Sequence, residues 1–270
     1  MFETVSFHVI KPCNMGCKFC YATYNTFNVK NQLSYIDACI IVAKLAEAGV
    51  QKITFAGGEP MLYKHLDAVI EFAKSIGVTT SIITNGSMIT EEWLIKMQPY
   101  LDWIGVSIDS VDHDTNSKIG RVSRNSVIDY YSLVDLINKY DYKLKINTVV
   151  NIHNQGEYFA HFIKYSKTTR WKVFDTLRVE GQNDEQFDAI KSTDYIGYVQ
   201  RNEIDVMVAE NNELMTGSYL LIDPLGRFYE NWGTETRKSD SLIDHDVEHC
   251  LNQISLNRAA FEERGGIYQW

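Results

Sequence analysis

The sequence predicts an α/β protein: an open or partial barrel of βα units followed by a C-terminal extension. Three observations predict it. Strand and helix patterns alternate through six strands, one face of several strands is repeatedly polar, and the alternation then stops. Strands that alternate with helices pair in parallel, because each crossover returns the chain to the same end of the sheet.

Strands are read in order at "TVSFHVI", "KITFA", "TTSIITN", "DWIGVSID", "KLKINTVV" and "WKVFDTLRV". Helices lie between them at "SYIDACIIVAKLAEAG", "HLDAVIEFAKSIG", "TEEWLIKMQ", "NSVIDYYSLVDLINKY" and "QGEYFAHFIKYSK". Ser34 and Thr90 are N-caps, and Gly49 and Gly77 close the helices that precede them. In the first helix, Cys39 falls on an apolar stripe with Ile36, Ile40 and Ala43 and is assigned to the core. After the sixth strand comes a helical stretch, "EQFDAIKSTDYIGYVQ". A hairpin then turns at Asp223-Pro224-Leu225-Gly226, and two short helices sit around "SLIDHDVEHCLNQI" and "NRAAFEER". The ending "GGIYQW" reads as a mobile flap more than as core. Residues 1–205 are taken as the barrel core. Residues 206–270 are taken as an extension that closes the active site within one structural domain.

Strand parity decides between a flat sheet and a barrel. Lys52 and Thr54 oppose Ile53 and Phe55; Lys145 and Asn147 oppose Ile146 and Val150; Arg170 and Lys172 oppose Trp171 and Val173. A parallel sheet covered by helices on both faces is apolar on both. A polar face implies a cavity inside a barrel.

Of the 270 residues, 26 are basic and 35 acidic, a net charge of −9 that disfavours duplex nucleic acid as a partner. No apolar run approaches the roughly 20 residues of a membrane span, and no signal-peptide pattern is present. A cytosolic protein away from membranes is expected, and a monomer. In that reducing setting the 5 cysteines argue against disulfides. Cys13, Cys17 and Cys20 follow the first strand in the spacing CxxxCxxC. Structural zinc and all-cysteine cubane clusters take four protein ligands. Three leave one metal position open, where a substrate or cofactor binds.

This loop resembles the signature of the radical S-adenosylmethionine superfamily, with Phe19 as the aromatic before the third cysteine. "GGEP" at the end of the second strand resembles that superfamily's motif for the cofactor's amino group. The fuller set "KITFAGGEP", "TNGS", "IGR", "KINTVVN", "RWKVFDTLRVEGQN", "SYLLID" and "ERGG" resembles the viperin family across nearly the whole chain. The resemblance implies a partial (βα)6 TIM-like barrel, a 4Fe–4S cluster on the three cysteines, and S-adenosylmethionine held by Phe19, Gly57, Gly58, Glu59, Asn85, Ser107 and Arg121. It implies a radical dehydration. An external one-electron reductant feeds the cluster, the cofactor is split to a 5′-deoxyadenosyl radical, and the 4′ hydrogen of a ribonucleoside triphosphate is taken. Loss of the 3′ hydroxyl as water, with one electron and a proton, gives the 3′-deoxy-3′,4′-didehydro nucleotide, an antiviral chain terminator. CTP, UTP and GTP remain open as substrates.

Substrate contacts are expected from Ser6, His8, Lys52, Lys145, Asn147, Arg170 and Lys172. Tyr219 is expected near the sugar, delivering the last proton or electron. A triphosphate carries about four negative charges, which lysine and arginine clamps hold. The chain departs from the family at Ser6, where asparagine is frequent, and at Ala56, where serine precedes GGEP. Two other readings stand beside this one: a superfamily enzyme acting on another nucleotide-like substrate, and a non-enzymatic iron–sulfur carrier or sensor.

Overall fold

In the computed structural model, structure is described for residues 3–24, 32–123, 127–179, 182–183, 191–230 and 237–269. Seven strands run β1 (Thr4–Ile10), β2 (Lys52–Gly57), β3 (Thr79–Thr84), β4 (Trp103–Ser107), β5 (Lys143–Val149), β6 (Arg170–Phe174) and β7 (Met207–Glu210). Each pairs in parallel with the next. Between them lie α1 (Tyr35–Glu47), α2 (Leu66–Ser75), α3 (Glu91–Met97), α4 (His113–Ile119), α5 (Tyr130–Asn138), α6 (Ala160–Ser166) and α7 (Ser192–Arg201). The remainder is α8 (Asn212–Met215), β8 (Leu221–Ile222), β9 (Arg227–Tyr229), β10 (Lys238–Ser241), α9 (Val247–Leu251) and α10 (Arg258–Glu263). β8 joins β1 in parallel, while β9 and β10 add antiparallel strands outside it. The sheet is open, in the order β10-β9-β8-β1-β2-β3-β4-β5-β6-β7.

Parity places the core. Ile53, Phe55, Ile146, Trp171 and Val173 are fully buried on the helix side. Such burial contributes about 1.5–3 kcal/mol for each large side chain. The caps are as expected: Ser34 accepts from the Asp37 N–H, and Thr90 from the Trp93 N–H. The hairpin turns where expected, with the Asp223 N–H donating to the Arg227 carbonyl at 2.9 Å.

Several elements differ from expectation. α1 buries Ala38, Ile41, Val42 and Leu45, whereas Ile36 and Ile40 are exposed; Cys39 packs at the core's margin. The helix carries two apolar stripes, and the one through Ala38, Ile41, Val42 and Leu45 is the buried one. α4 is unheralded by apolar periodicity and is held by its ends, Asp112 accepting from the Thr115 N–H and Gly120 in the left-handed region. β6 stops at Phe174, short of the predicted Val179, and the parallel run continues with β7 past residue 205. The helical reading of "EQFDAIKSTDYIGYVQ" is met by α7 from Ser192; residues 185–190 lie outside the described set. The tail is docked on the sheet as far as Tyr268, contrary to the flap reading, because its tyrosine finds buried cationic partners. Trp270 lies outside the described residues.

Candidate active site

The three-cysteine loop leaves the C-terminal end of β1 and is held from three sides. The Gly58 and Glu59 N–H groups donate to the Ile10 and Pro12 carbonyls at 2.7 and 2.8 Å. The Gly16 N–H donates to the Gly120 carbonyl at 3.1 Å and the Lys18 N–H to that of Ile119 at 3.0 Å. Asn85 donates to the Asn14 side chain at 2.8 Å. Gly58 and Gly120 are dictated by this packing. A Cβ on either would lie 2.2 Å from a backbone oxygen of the loop.

Cys13, Cys17 and Cys20 are all free thiols. Burial raises their pKa values, that of Cys17 to about 12. Their sulfurs are not among the ligand groups that gather within 4.8 Å of one another. One ion would require such a gathering, whereas a cubane takes each thiolate on a different iron. Three unpaired thiols on one braced loop therefore fit a cluster with three protein ligands.

Around the loop, Arg121 is buried and ion-paired with Asp109, whose other oxygen accepts from the Val149 N–H at 2.9 Å. Burial opposes the Arg121 charge, but Asp109 outweighs it and the guanidinium stays protonated. Its Cζ lies 5.9 Å from the Phe19 ring. Ser107 stands half-buried at the end of β4, paired in register with Asn147. Glu59 differs from the ammonium-receiving role expected for it. Its carboxylate is wholly buried and accepts from the Met61 and Asn85 N–H groups and the Thr84 hydroxyl at 3.1, 2.8 and 2.7 Å. Burial raises its pKa against those bonds. Glu59 thus positions the turn, and the two glycines approach the cysteine loop.

A cavity partly open to solvent lies on the polar face of the sheet. Ser6, Lys52, Thr54, Lys145, Asn147, Lys172 and Tyr219 line it, joined by Arg264 and Tyr268 from the tail. The parity reading thus brings three lysines from three strands into one space. Arg170 stands beside them, its guanidinium 4.1 Å from the centre of the Tyr268 ring and donating to the Gly265 carbonyl at 2.7 Å. Lys52 donates to the Tyr268 hydroxyl at 2.7 Å. Burial, then the neighbouring Lys145, Arg170 and Lys172, depresses Lys52 to about 6. Burial and Arg170 depress Lys145 to about 8. Two buried polar atoms here, Asn147 Oδ1 and Arg170 Nε, have no hydrogen-bond partner. An orphaned acceptor among crowded cations fits a hydroxylated polyanion.

Sequence reasoning missed Glu210. At the end of β7 it is fully buried, ion-paired to Lys172 and hydrogen-bonded by the Tyr219 hydroxyl. Arg264 Nη1 lies 3.9 Å away, and its guanidinium stacks 3.6 Å from the centre of the Tyr219 ring. Burial works to raise the Glu210 pKa, but Lys172 and Arg264 outweigh it and hold the carboxylate ionised. No spacing signal marks Glu210; "ERGG" marked the segment of Arg264 only through the resemblance. His8 was expected in the cavity and is elsewhere. Its ring is enclosed by Tyr21, Tyr24 and Tyr229, and Tyr24 Oη is bonded to its Nδ1. Burial drops His8 to about 3, so it is neutral. One residue pair further along β1 than Ser6, it meets the chain returning from the cysteine loop and not the cavity. Cys20 and Tyr219 pack against the same small cluster of Ala22, Tyr24, Leu221 and Tyr229, which links the loop to the cavity.

The radical SAM superfamily matches residues 9–165. Streptococcus suis SuiB bound to S-adenosylmethionine shares the fold, with a TM-score of 0.73 at 16% identity over 98% of this chain and 67% of that one. Loop, sheet and match define the class as a radical SAM enzyme, with a 4Fe–4S cluster and S-adenosylmethionine as its cofactors. An S-adenosylmethionine-dependent nucleotide dehydratase of Lacinutrix mariniflava is 42% identical over 99% of this chain, which spans only 58% of that relative. One from Flammeovirga pacifica is 41% identical over 100% of this chain and 97% of its own length. The chain belongs to this family of nucleotide dehydratases, the viperin branch that the motifs resemble.

Among the described residues no helix is long and apolar enough to cross a membrane.

Proposed function

We propose that this protein dehydrates a ribonucleoside triphosphate, CTP, UTP or GTP, to its 3′-deoxy-3′,4′-didehydro analogue. One observation carries the reading: Lys52, Lys145, Lys172 and Arg264 converge on one cavity in a chain of net charge −9. Such crowding is unfavourable until a polyanion joins it. Cys13, Cys17 and Cys20 would hold the cluster, and the cluster and its cofactor supply hydrogen-atom abstraction when bound.

The chain's own residues do the rest. Lys52, Lys145, Lys172, Arg170 and Arg264 bind and orient the phosphates. Asn147 Oδ1 accepts a sugar hydroxyl, and Ser6 borders the same space. Tyr219 holds a proton at its hydroxyl oxygen, bonded to Glu210, close to where the sugar would lie. Arg121, Asn85, Ser107, Phe19 and the backbone at Gly57 and Gly58 form the cofactor's side of the site. In this reading residues 206–270 close it, since Glu210, Tyr219, Arg264 and Tyr268 all come from that extension. An external one-electron reductant completes the balance.

The test is parallel anaerobic incubation of cluster-loaded, reduced protein with ATP, CTP, GTP and UTP, scoring 5′-deoxyadenosine and dehydrated nucleotide together. At least one of CTP, UTP and GTP should yield both products. Cofactor cleavage with no dehydrated nucleotide from any of the four would overturn the assignment.

A further inference from the structure

A second group of metal-ligating side chains lies away from the cavity and the cysteine loop, where β10 gives way to α9. Asp240, His245 and His249 present ligand atoms that all lie within 4.8 Å of one another. None of the three lines the cavity. We propose that they form a site for a borderline divalent transition cation of the zinc class, clipping the outermost strand of the sheet to the helix that follows.

The donor set sets the class of ion. Two imidazoles and one carboxylate suit zinc and its neighbours, whereas calcium and magnesium take oxygen ligands. Three protein ligands leave a further position for water. All three side chains are exposed, so that position faces solvent.

The ligands are also braced. Gln253 clasps Asp240 twice: its Oε1 accepts from the Asp240 N–H at 2.6 Å, and its Nε2 donates to Oδ2 at 2.7 Å. Asp240 Oδ2 in turn lies 2.9 Å from His249 Nε2. Asp246 caps α9 by accepting from the His249 N–H at 2.7 Å, fixing that residue's backbone. Lys44 of α1 donates to the carbonyls of Leu242, Ile243 and His245 at 2.7, 3.0 and 2.9 Å, pinning the segment that carries His245. The rings of His245 and His249 stack with centres 4.4 Å apart. Being exposed, they can turn to offer nitrogen to a common ion. Asp244, Asp246 and Glu248 add negative charge around the group. Outer-shell partners of this kind orient metal ligands and raise affinity.

The experiment is a Zn²⁺ titration, by calorimetry, of the anaerobic, cluster-loaded enzyme, whose three loop thiols are already engaged. One ion per chain should bind. His245→Ala and His249→Ala should each weaken binding at least about tenfold, and Gln253→Ala should do so by a smaller factor. Zn²⁺ should raise the melting temperature of the parent and not of His249→Ala. Co²⁺ in place of Zn²⁺ should give ligand-field bands without a thiolate charge-transfer band. Absence of saturable binding, a sulfur-to-cobalt band, or a parental affinity in either histidine variant would refute the site.

Discussion

The cysteine loop and the cation cavity are built in opposite ways. The loop gathers its three cysteines from eight consecutive residues, and the rest of the structure braces them: the turn after β2 through Gly58 and Glu59, the end of α4 through Ile119 and Gly120, the end of β3 through Asn85. The cavity takes its cations from β2, β5, β6 and the tail, and no two of those segments are neighbours in sequence apart from β5 and β6. A local ligand set is robust to its surroundings but tolerates no loss. A distributed set shares one anion among several charges, so each contributes a fraction. That difference can be measured.

The largest effect is expected at the loop. Cys17→Ala should abolish both 5′-deoxyadenosine release and nucleotide dehydration, because no neighbour can replace a ligand in so short a segment. Retention of either product above background would break the comparison at its first term. At the cavity, Lys145→Ala should weaken nucleotide binding by roughly ten- to hundredfold, the range for one charge-assisted hydrogen bond. Cofactor cleavage should persist at saturating nucleotide. Unchanged affinity, measured by calorimetry, would show that the cavity is not where the phosphates sit.

The same contrast explains what could be read from the chain before folding. The loop is a contiguous motif, so its three thiols stay on one braced segment however the rest of the chain folds. The cavity was legible only through the two-residue period of the strands, which aligned Lys52, Lys145 and Lys172 without showing their distance apart. Parity says which face a residue occupies but not how far along the strand a loop will cover it, and His8 fails for that reason: Tyr24 and Tyr229 close over it. Glu210 escaped notice because it ends a strand of only four residues, too short to show a period. Glu59 shows a third limit. Its residue type suits an ammonium, yet the backbone of its own turn and the end of β3 claim its oxygens first. In the sheet, alternation specified β1 to β6, while α4, which buries only Asn116 and Ile119 between its caps, left no periodic trace.

The smallest effect separates the two regions by their protons. Lys52 is depressed to about 6 by burial and by Lys145, Arg170 and Lys172, and Lys145 to about 8 by burial and Arg170. A lysine with a lowered folded pKa binds fewer protons folded than unfolded across the window from its folded value to about 10.5. Stability of the nucleotide-free protein should therefore rise with pH from about 6 upward, and below that value the full penalty of two charged states remains. A bound triphosphate reverses the depression by supplying the missing negative charge. Binding at pH 8 should then take up about one proton on Lys52 and about half of one on Lys145, and affinity should fall by roughly thirtyfold per pH unit around pH 8. Calorimetry in buffers of different ionisation enthalpy reads this directly. Lys52→Met should remove most of the uptake, whereas a change confined to the cofactor side should leave it intact. Zero uptake at pH 8 in the parent would mean that Lys52 is already charged before the nucleotide arrives. The Tyr268 hydroxyl, its partner at 2.7 Å, would then be sufficient compensation, and the tail would be part of a finished site and not a stand-in that the substrate displaces.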